Sequence, residues 1–216
     1  MRGLVSPAEF IPALEDSGLI IPVGEWVVEE ACRQLQRWAA AGCMPVPVAV
    51  NLSPKQFRRR DLDAQIGDAL SRAGLSAEFL ELEITESCLM ENPEDAVRVM
   101  RNLRTAGLRI SIDDFGTGYS SLSYLTRLPL SALKIDRSFV RDADSSAESA
   151  SIVRAVIDMA QNLRLTVIAE GVETEQQAGF LRRHGCDQAQ GHFYGQPVSA
   201  EKIGERLARA QERRGR

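Results

Sequence analysis

The chain has 216 residues, 44% of them hydrophobic and 26% charged, enough for one full core and too little for two large domains. A formal net charge of -4 argues against a nucleic-acid partner held by bulk electrostatics, since phosphate-backbone binding leaves a basic excess; neither DNA nor RNA is expected. Cys32, Cys43, Cys88 and Cys186 show neither C-x-x-C nor zinc-finger spacing, and no stretch approaches the roughly 20 apolar residues of a membrane span. Reduced thiols, a cytoplasmic setting and no membrane contact by this segment are therefore expected.

In chain order, Ser6, Pro7 and Glu9 read as a helix start with a capping box, and that helix runs to about Gly18. A second helical pattern covers about Val23 to Ala41, with Trp26, Val27, Ala31, Leu35 and Trp38 on one stripe, both tryptophans read as core. Strand and helix patterns then alternate. VPVAVNL precedes a helix at about Leu62 to Ala73, and FLELEITE one opened by Asn92, Pro93 and Glu94. RISIDD leads into a Gly-rich loop and a short helix near Tyr119 to Leu125, and ALKID into a helix at about Glu148 to Leu163. TVIAEGVE leads to a helix at about Glu175 to His184, and QAQGHF to one at about Ala200 to Ala210, followed by a short basic tail, 211–216. Alternation of this kind implies right-handed crossovers and a parallel sheet.

Each of the six strands ends in a polar side chain of a metal-ligating type: Asn51, then Glu83 and Glu86, Asp113 and Asp114, Lys134 and Asp136, Glu170 and Glu173, and Gln190. A buried parallel strand is expected to be almost wholly apolar, so an acid at its carboxyl end needs a ligand, a partner or water. Such a series is what a βα barrel gives when its working groups sit at the carboxyl ends of its strands. A closed barrel needs eight strands and about 250 residues, so either the sheet is open or two N-terminal strands are missing. The expected fold is thus α/β, an incomplete (β/α)8 barrel with about six of eight strands.

Glu83, Asp113, Asp114, Glu170, Asn51 and Gln190 form an all-oxygen set suited to Mg²⁺ or Mn²⁺, and no Cys or His falls at these strand ends. Adjacent carboxylates at Asp113 and Asp114 would repel each other in a dry pocket, and a divalent cation is the usual remedy. Lys134 could hold or polarise an attacking water, or simply pair with Asp136 or Asp113. Such a set around a cation pair suits phosphoester hydrolysis. The loop DDFGTGYSSL could approach an anion or act as a lid, a weak signal alone that matches neither the P-loop nor the dinucleotide fingerprint.

The segments SPAEFIPALEDSGLI, VNLSPKQF, LELEITES, IDDFGTGYSSLSYL, LKIDRSFV, IAEGVET and CDQAQGHFYGQP together closely resemble the EAL-domain family, bacterial phosphodiesterases that hydrolyse cyclic di-GMP to pGpG. The resemblance implies a modified TIM barrel and a two-metal mechanism using Mg²⁺ or Mn²⁺. It implies metal ligation by Asn51, Glu83, Asp113, Asp114 and Glu170, with Lys134, Glu170 and Asp113 at the catalytic centre and Lys134 positioning the water. Glu86 would steady the loop after Asp114, Glu173 and Gln190 would support the site, and Gln56 and Asp136 match motif positions near the nucleotide. The loop from Phe115 through Gly116, Thr117 and Gly118 to Leu122 would couple the metals to a homodimer interface.

Two departures stand beside these matches. The family's Glu-x-Leu element and the strand before it are absent from the sequence, so residues 1–210 read as a domain lacking its first two strands, with impaired activity expected. His192 stands where the family usually carries an aromatic. The alternative reading is a catalytically inactive cyclic di-GMP-binding or partner-docking module, for which substitutions at the ligand positions would speak; none occurs from Asn51 onward. Another metal-dependent barrel hydrolase would share the carboxylates but not the joint presence of DDFGTG, KIDRSF and AEGVET.

Overall fold

The computed structural model describes residues 5–43, 46–90, 92–116 and 122–214. Two helices, α1 (Pro7–Ser17) and α2 (Ile20–Ala40), precede β1 (Val48–Leu52), the short α3 (Pro54–Phe57), α4 (Leu62–Ala73) and β2 (Leu80–Thr85). Then come α5 (Glu86–Met90), α6 (Pro93–Thr105), β3 (Arg109–Phe115), α7 (Leu122–Leu125), β4 (Ala132–Ile135), α8 (Arg137–Arg141), α9 (Ala147–Asn162) and β5 (Thr166–Ala169). The chain continues through α10 (Glu175–Arg183) and β6 (Gln188–Ala189) into α11 (Ala200–Arg214). All five strand pairings are parallel and follow chain order, β1 to β6. Among the described residues the sheet is open, with β1 and β6 at its edges.

The six expected strands are all present, but they are not apolar on both faces. Val50, Leu52, Leu80, Leu82, Ile84, Ile110, Ile112, Leu133, Ile135, Val167 and Ala169 are buried in the main core. Burying each larger aliphatic chain is worth about 1.5–3 kcal/mol. Because side chains alternate along a strand, the intervening residues share the other face, and the register aligns them: Asn51 opposite Glu83, Glu83 opposite Ser111, Lys134 opposite Ile168, Ile168 opposite Gln188. That face is polar over most of its length. The rule that both faces are covered holds for sheets sandwiched by helices, whereas here the second face of the open sheet carries the polar groups that lead to the site.

Three further expectations are corrected. Trp26 is 58% exposed rather than core. The buried stripe of α2 is Ile20, Gly24, Val28, Cys32 and Leu35, and Trp26 lies two residues, about 200°, round the helix from Val28. Ser6 is the N-cap of α1, but its side chain makes no capping bond; Glu9 N–H donates to the Ser6 carbonyl instead, at 2.9 Å. The last helix runs to Arg214, so most of the expected basic tail continues it.

Trp38 is half-buried against the last helix. Its indole N–H donates to the Ala200 carbonyl at 3.1 Å, across 162 residues of chain. Gly204 offers the room: a Cβ there would lie 3.2 Å from the indole nitrogen.

Candidate metal centre at the carboxyl ends of the strands

The polar face culminates at Lys134, which is 4% exposed at the end of β4. Its Nζ lies 2.8 Å from Glu83 Oε2, 3.1 Å from Asp113 Oδ1 and 2.6 Å from Glu170 Oε1, bringing together the ends of β2, β3 and β5. It pairs with Asp113, one of the two simple partners expected from sequence, and also with Glu83 and Glu170. Burial alone would lower the Lys134 pKa, but hydrogen bonds to Glu170 and Glu83 outweigh it and raise it. Burial raises the carboxyl pKa of both Glu83 and Glu170 against the opposing pull of Lys134.

Asp113 and Asp114 are both presented at the end of β3 because the backbone turns there. Asp114 is left-handed, φ 53°, and its N–H donates to Asp113 Oδ1 at 3.1 Å. A non-glycine residue in that conformation costs roughly 1 kcal/mol. Carboxylate oxygens of Asp113, Asp114 and Glu170 all lie within 4.8 Å of one another. Burial, then repulsion from Asp113, then a hydrogen bond with Asp136 push the Asp114 carboxyl up to about 6. Burial would also raise Asp136, but the Ser138 hydroxyl and amide hold it below the ordinary range; the amide donates at 2.9 Å. Three carboxylates thus pair with one lysine while Asp114 and Asp136 lie beside them, and Ser111 Oγ, fully buried between Glu83 and Asp113 along the same face, has no partner among the described residues. Surplus negative charge, all-oxygen donors and an orphaned hydroxyl fit a hard divalent cation.

The supporting residues divide. Gln190 Nε2 donates to Glu170 Oε1 at 2.5 Å, at the edge of the cluster. Glu86 is buried and its Oε2 accepts the Gly116 N–H at 3.2 Å, which ties the start of the loop to the first residue of α5, directly after β2. Phe115 is buried, and Gly116 has φ 100° with the Phe139 ring 2.9 Å from where a Cβ would stand. Thr117 and Gly118 lie outside the described residues. Asn51 is exposed at the β1 edge, level with Glu83. Gln56 is buried in the cap of α3, its Oε1 accepting Ser53 N–H at 3.2 Å, and it packs on Gly24 of α2. Glu173 is exposed and shares a cavity with Arg137, Ser138 and Arg141 rather than joining the cluster. Sequence reasoning missed Ser111 and Ser138; the alternation in LELEIT and RISID is the signal that would have found Ser111.

Beside Glu170 and Gln190, a cavity of about 500 Å³ is lined by Arg137, His192, Pro197 and Arg206, among others, large enough for part of a nucleotide. Fold and site together define a TIM-like α/β domain with an acidic centre at the carboxyl ends of its strands. The chain belongs to the EAL domain family, whose model matches residues 1–197. It is 45% identical over 202 residues to the bifunctional diguanylate cyclase/cyclic di-GMP phosphodiesterase MucR of Pseudomonas aeruginosa, covering 94% of this chain and 30% of that protein. To the cyclic di-GMP phosphodiesterase PdeR of Escherichia coli it is 41% identical over 199 residues, 92% of this chain and 30% of that one. The chain therefore spans about a third of these relatives. The solved PaMucR phosphodiesterase in complex with c-di-GMP superposes with TM-score 0.90 at 45% identity, over 94% of this chain and 82% of that one.

Proposed function

We propose that this domain hydrolyses cyclic di-GMP to pGpG with two Mg²⁺ or Mn²⁺ ions held by Asn51, Glu83, Asp113, Asp114 and Glu170. The observation that carries the reading is the convergence of Glu83, Asp113 and Glu170 on the buried Lys134 at the strand ends. It is supported by relatives named as cyclic di-GMP phosphodiesterases and by a similar domain solved with that nucleotide. When bound, the ions would supply Lewis acidity and a nucleophilic hydroxide at neutral pH. Lys134 would hold the attacking water through an N–H donor while its charge is fixed by the carboxylates around it. Gln190 orients Glu170, and the Ser138 amide and hydroxyl orient Asp136. Glu86 couples the centre to the Gly116 loop, through which we place a homodimer contact. The setting is cytoplasmic, in keeping with four free cysteines; among the described residues no helix is long and apolar enough to cross a membrane.

A non-hydrolysing cyclic di-GMP-binding module would tolerate loss of the ligand set, and every ligand position from Asn51 onward is retained. The test is chromatographic detection of pGpG from cyclic di-GMP with Mn²⁺, using a chain that carries the family's Glu-x-Leu strand as the positive control. Made in that extended chain, Glu83→Ala, Asp113→Ala and Glu170→Ala should each abolish product while circular dichroism is unchanged; turnover retained in any of the three sinks the ligand assignment.

A further inference from the structure

The opposite, amino-terminal end of the sheet carries another charged cavity, of about 380 Å³, whose lining includes Glu81, Arg104, Arg109, Ser131, Arg164 and Gln188. Arg109 opens β3 and stands opposite Glu81 in the strand register, Ser131 directly precedes β4, and Arg164 lies two residues before β5. Arg104, from the last turn of α6, is fixed in place: its Nη1 donates to Ser131 Oγ at 2.9 Å and to the Leu108 carbonyl at 3.3 Å. Arg109 and Arg164 make no ion pair among the described residues. Glu81, the one carboxylate on this lining, has a buried Oε1 without a partner although it sits beside Arg109 in register.

Arg164 adds a second observation. It follows α9 with φ 59°, in the left-handed position where helices commonly place glycine, stabilised by Arg164 N–H to the Gln161 carbonyl and Leu165 N–H to the Ala160 carbonyl. A long cationic side chain is kept where glycine would remove the backbone cost, and it is delivered into the cavity. Three guanidinium groups against one carboxylate leave two positive charges unbalanced in a polar recess, and a planar guanidinium fork matches the oxygens of a phosphate group.

We propose that this cavity binds a phosphate monoester dianion, at a site separate from the acidic centre at the other end of the strands. Two surplus charges select a dianion over a phosphodiester monoanion, and the volume leaves room for a small organic group beyond the phosphate. The proposal does not depend on the domain's hydrolytic activity.

The test is calorimetric titration of the metal-free protein in EDTA with inorganic phosphate, then phenyl phosphate, then dimethyl phosphate. One site of millimolar or tighter affinity is expected for the first two, with dimethyl phosphate at least about tenfold weaker, a factor set by one charge-assisted pair. Arg109→Gln and Arg164→Gln should each weaken phosphate by a similar factor. Arg164→Gly should do the same with an unchanged or higher melting temperature, which separates lost binding from lost fold. Absence of binding to phosphate, equal affinity for dimethyl phosphate, or unchanged affinity in the folded Arg164→Gly variant would each overturn the site.

Discussion

Gln190 donates to the same oxygen of Glu170 that lies 2.6 Å from Lys134, so an amide just past β6 and an ammonium from β4 fix between them one carboxylate just past β5. The acidic centre is therefore held by a relay across neighbouring strands, and its parts should fail together when a member is removed.

Among the described residues Lys134 is the cation paired with Glu83, Asp113 and Glu170. Lys134→Met should lower stability in metal-free buffer by about 3–5 kcal/mol, since it leaves charges unpaired in a dry site. Urea unfolding with and without Mn²⁺ checks this: the deficit should shrink when Mn²⁺ is present, and an unchanged midpoint in EDTA would contradict it.

Gly24 and Gln56 interlock. A Cβ at Gly24 would stand 1.8 Å from Gln56 Nε2, and Gln56 is committed to the α3 cap. Gly24→Ala should cost about 1–3 kcal/mol by overpacking. In the double variant with Gln56→Ala the two losses should add to less than their sum, a coupling readable from thermal melts.

Gly191 follows Gln190 with φ 154°, and a Cβ there would lie 2.2 to 2.7 Å from the Val172 backbone. Backbone cannot move aside as a side chain can. Gly191→Ala should displace the end of β6, loosening the Gln190 to Glu170 contact and reducing turnover at least about tenfold, the order expected when an outer support of a metal ligand is lost. Wild-type kinetics would show that this contact does not matter.

Gly116 faces the Phe139 ring with φ 100°. Gly116→Val should reduce both cyclic di-GMP turnover and dimer content, measured by chromatography and sedimentation. Unchanged values in both would make the loop a mere connector.

Burial pushes the Cys186 thiol up to about 11. At pH 8 iodoacetamide should modify Cys186 in the folded protein about 100-fold more slowly than a free cysteine, with the rate climbing toward pH 11. Because the folded pKa is raised, the associated stability is full below about pH 8.5 and is lost as pH rises toward the folded value. Peptide mapping of the alkylated protein reads the rate.

All six strands and α4 were legible because each carries a clean periodic run bounded by turn residues, and the site residues because acids ended those runs. The polar inner face is not legible from the apolar runs alone: LELEIT alternates plainly, but the expectation of a wholly apolar strand holds only for sheets covered on both faces. Trp26 is not core because helical phase outranks aromatic bulk: Ile20, Gly24, Val28, Cys32 and Leu35 keep that phase without it. Helices of four or five residues, such as α3, α5 and α8, are too short for a period to register, and their caps at Ser53 and Asp136 depend on contacts that only the fold creates.

The bond from Trp38 to Ala200 has a kinetic meaning. It joins helices separated by almost the whole length of the sheet, and a contact spanning so much chain is among the most expensive in closure entropy. Because Trp38 precedes β1 and Ala200 follows β6, with β1 to β6 neighbouring one another in chain order between them, the closure of this latch should report on assembly of the whole series. A polypeptide halted before α11 would carry every strand-end carboxylate and still leave the Trp38 indole of α2 without its partner.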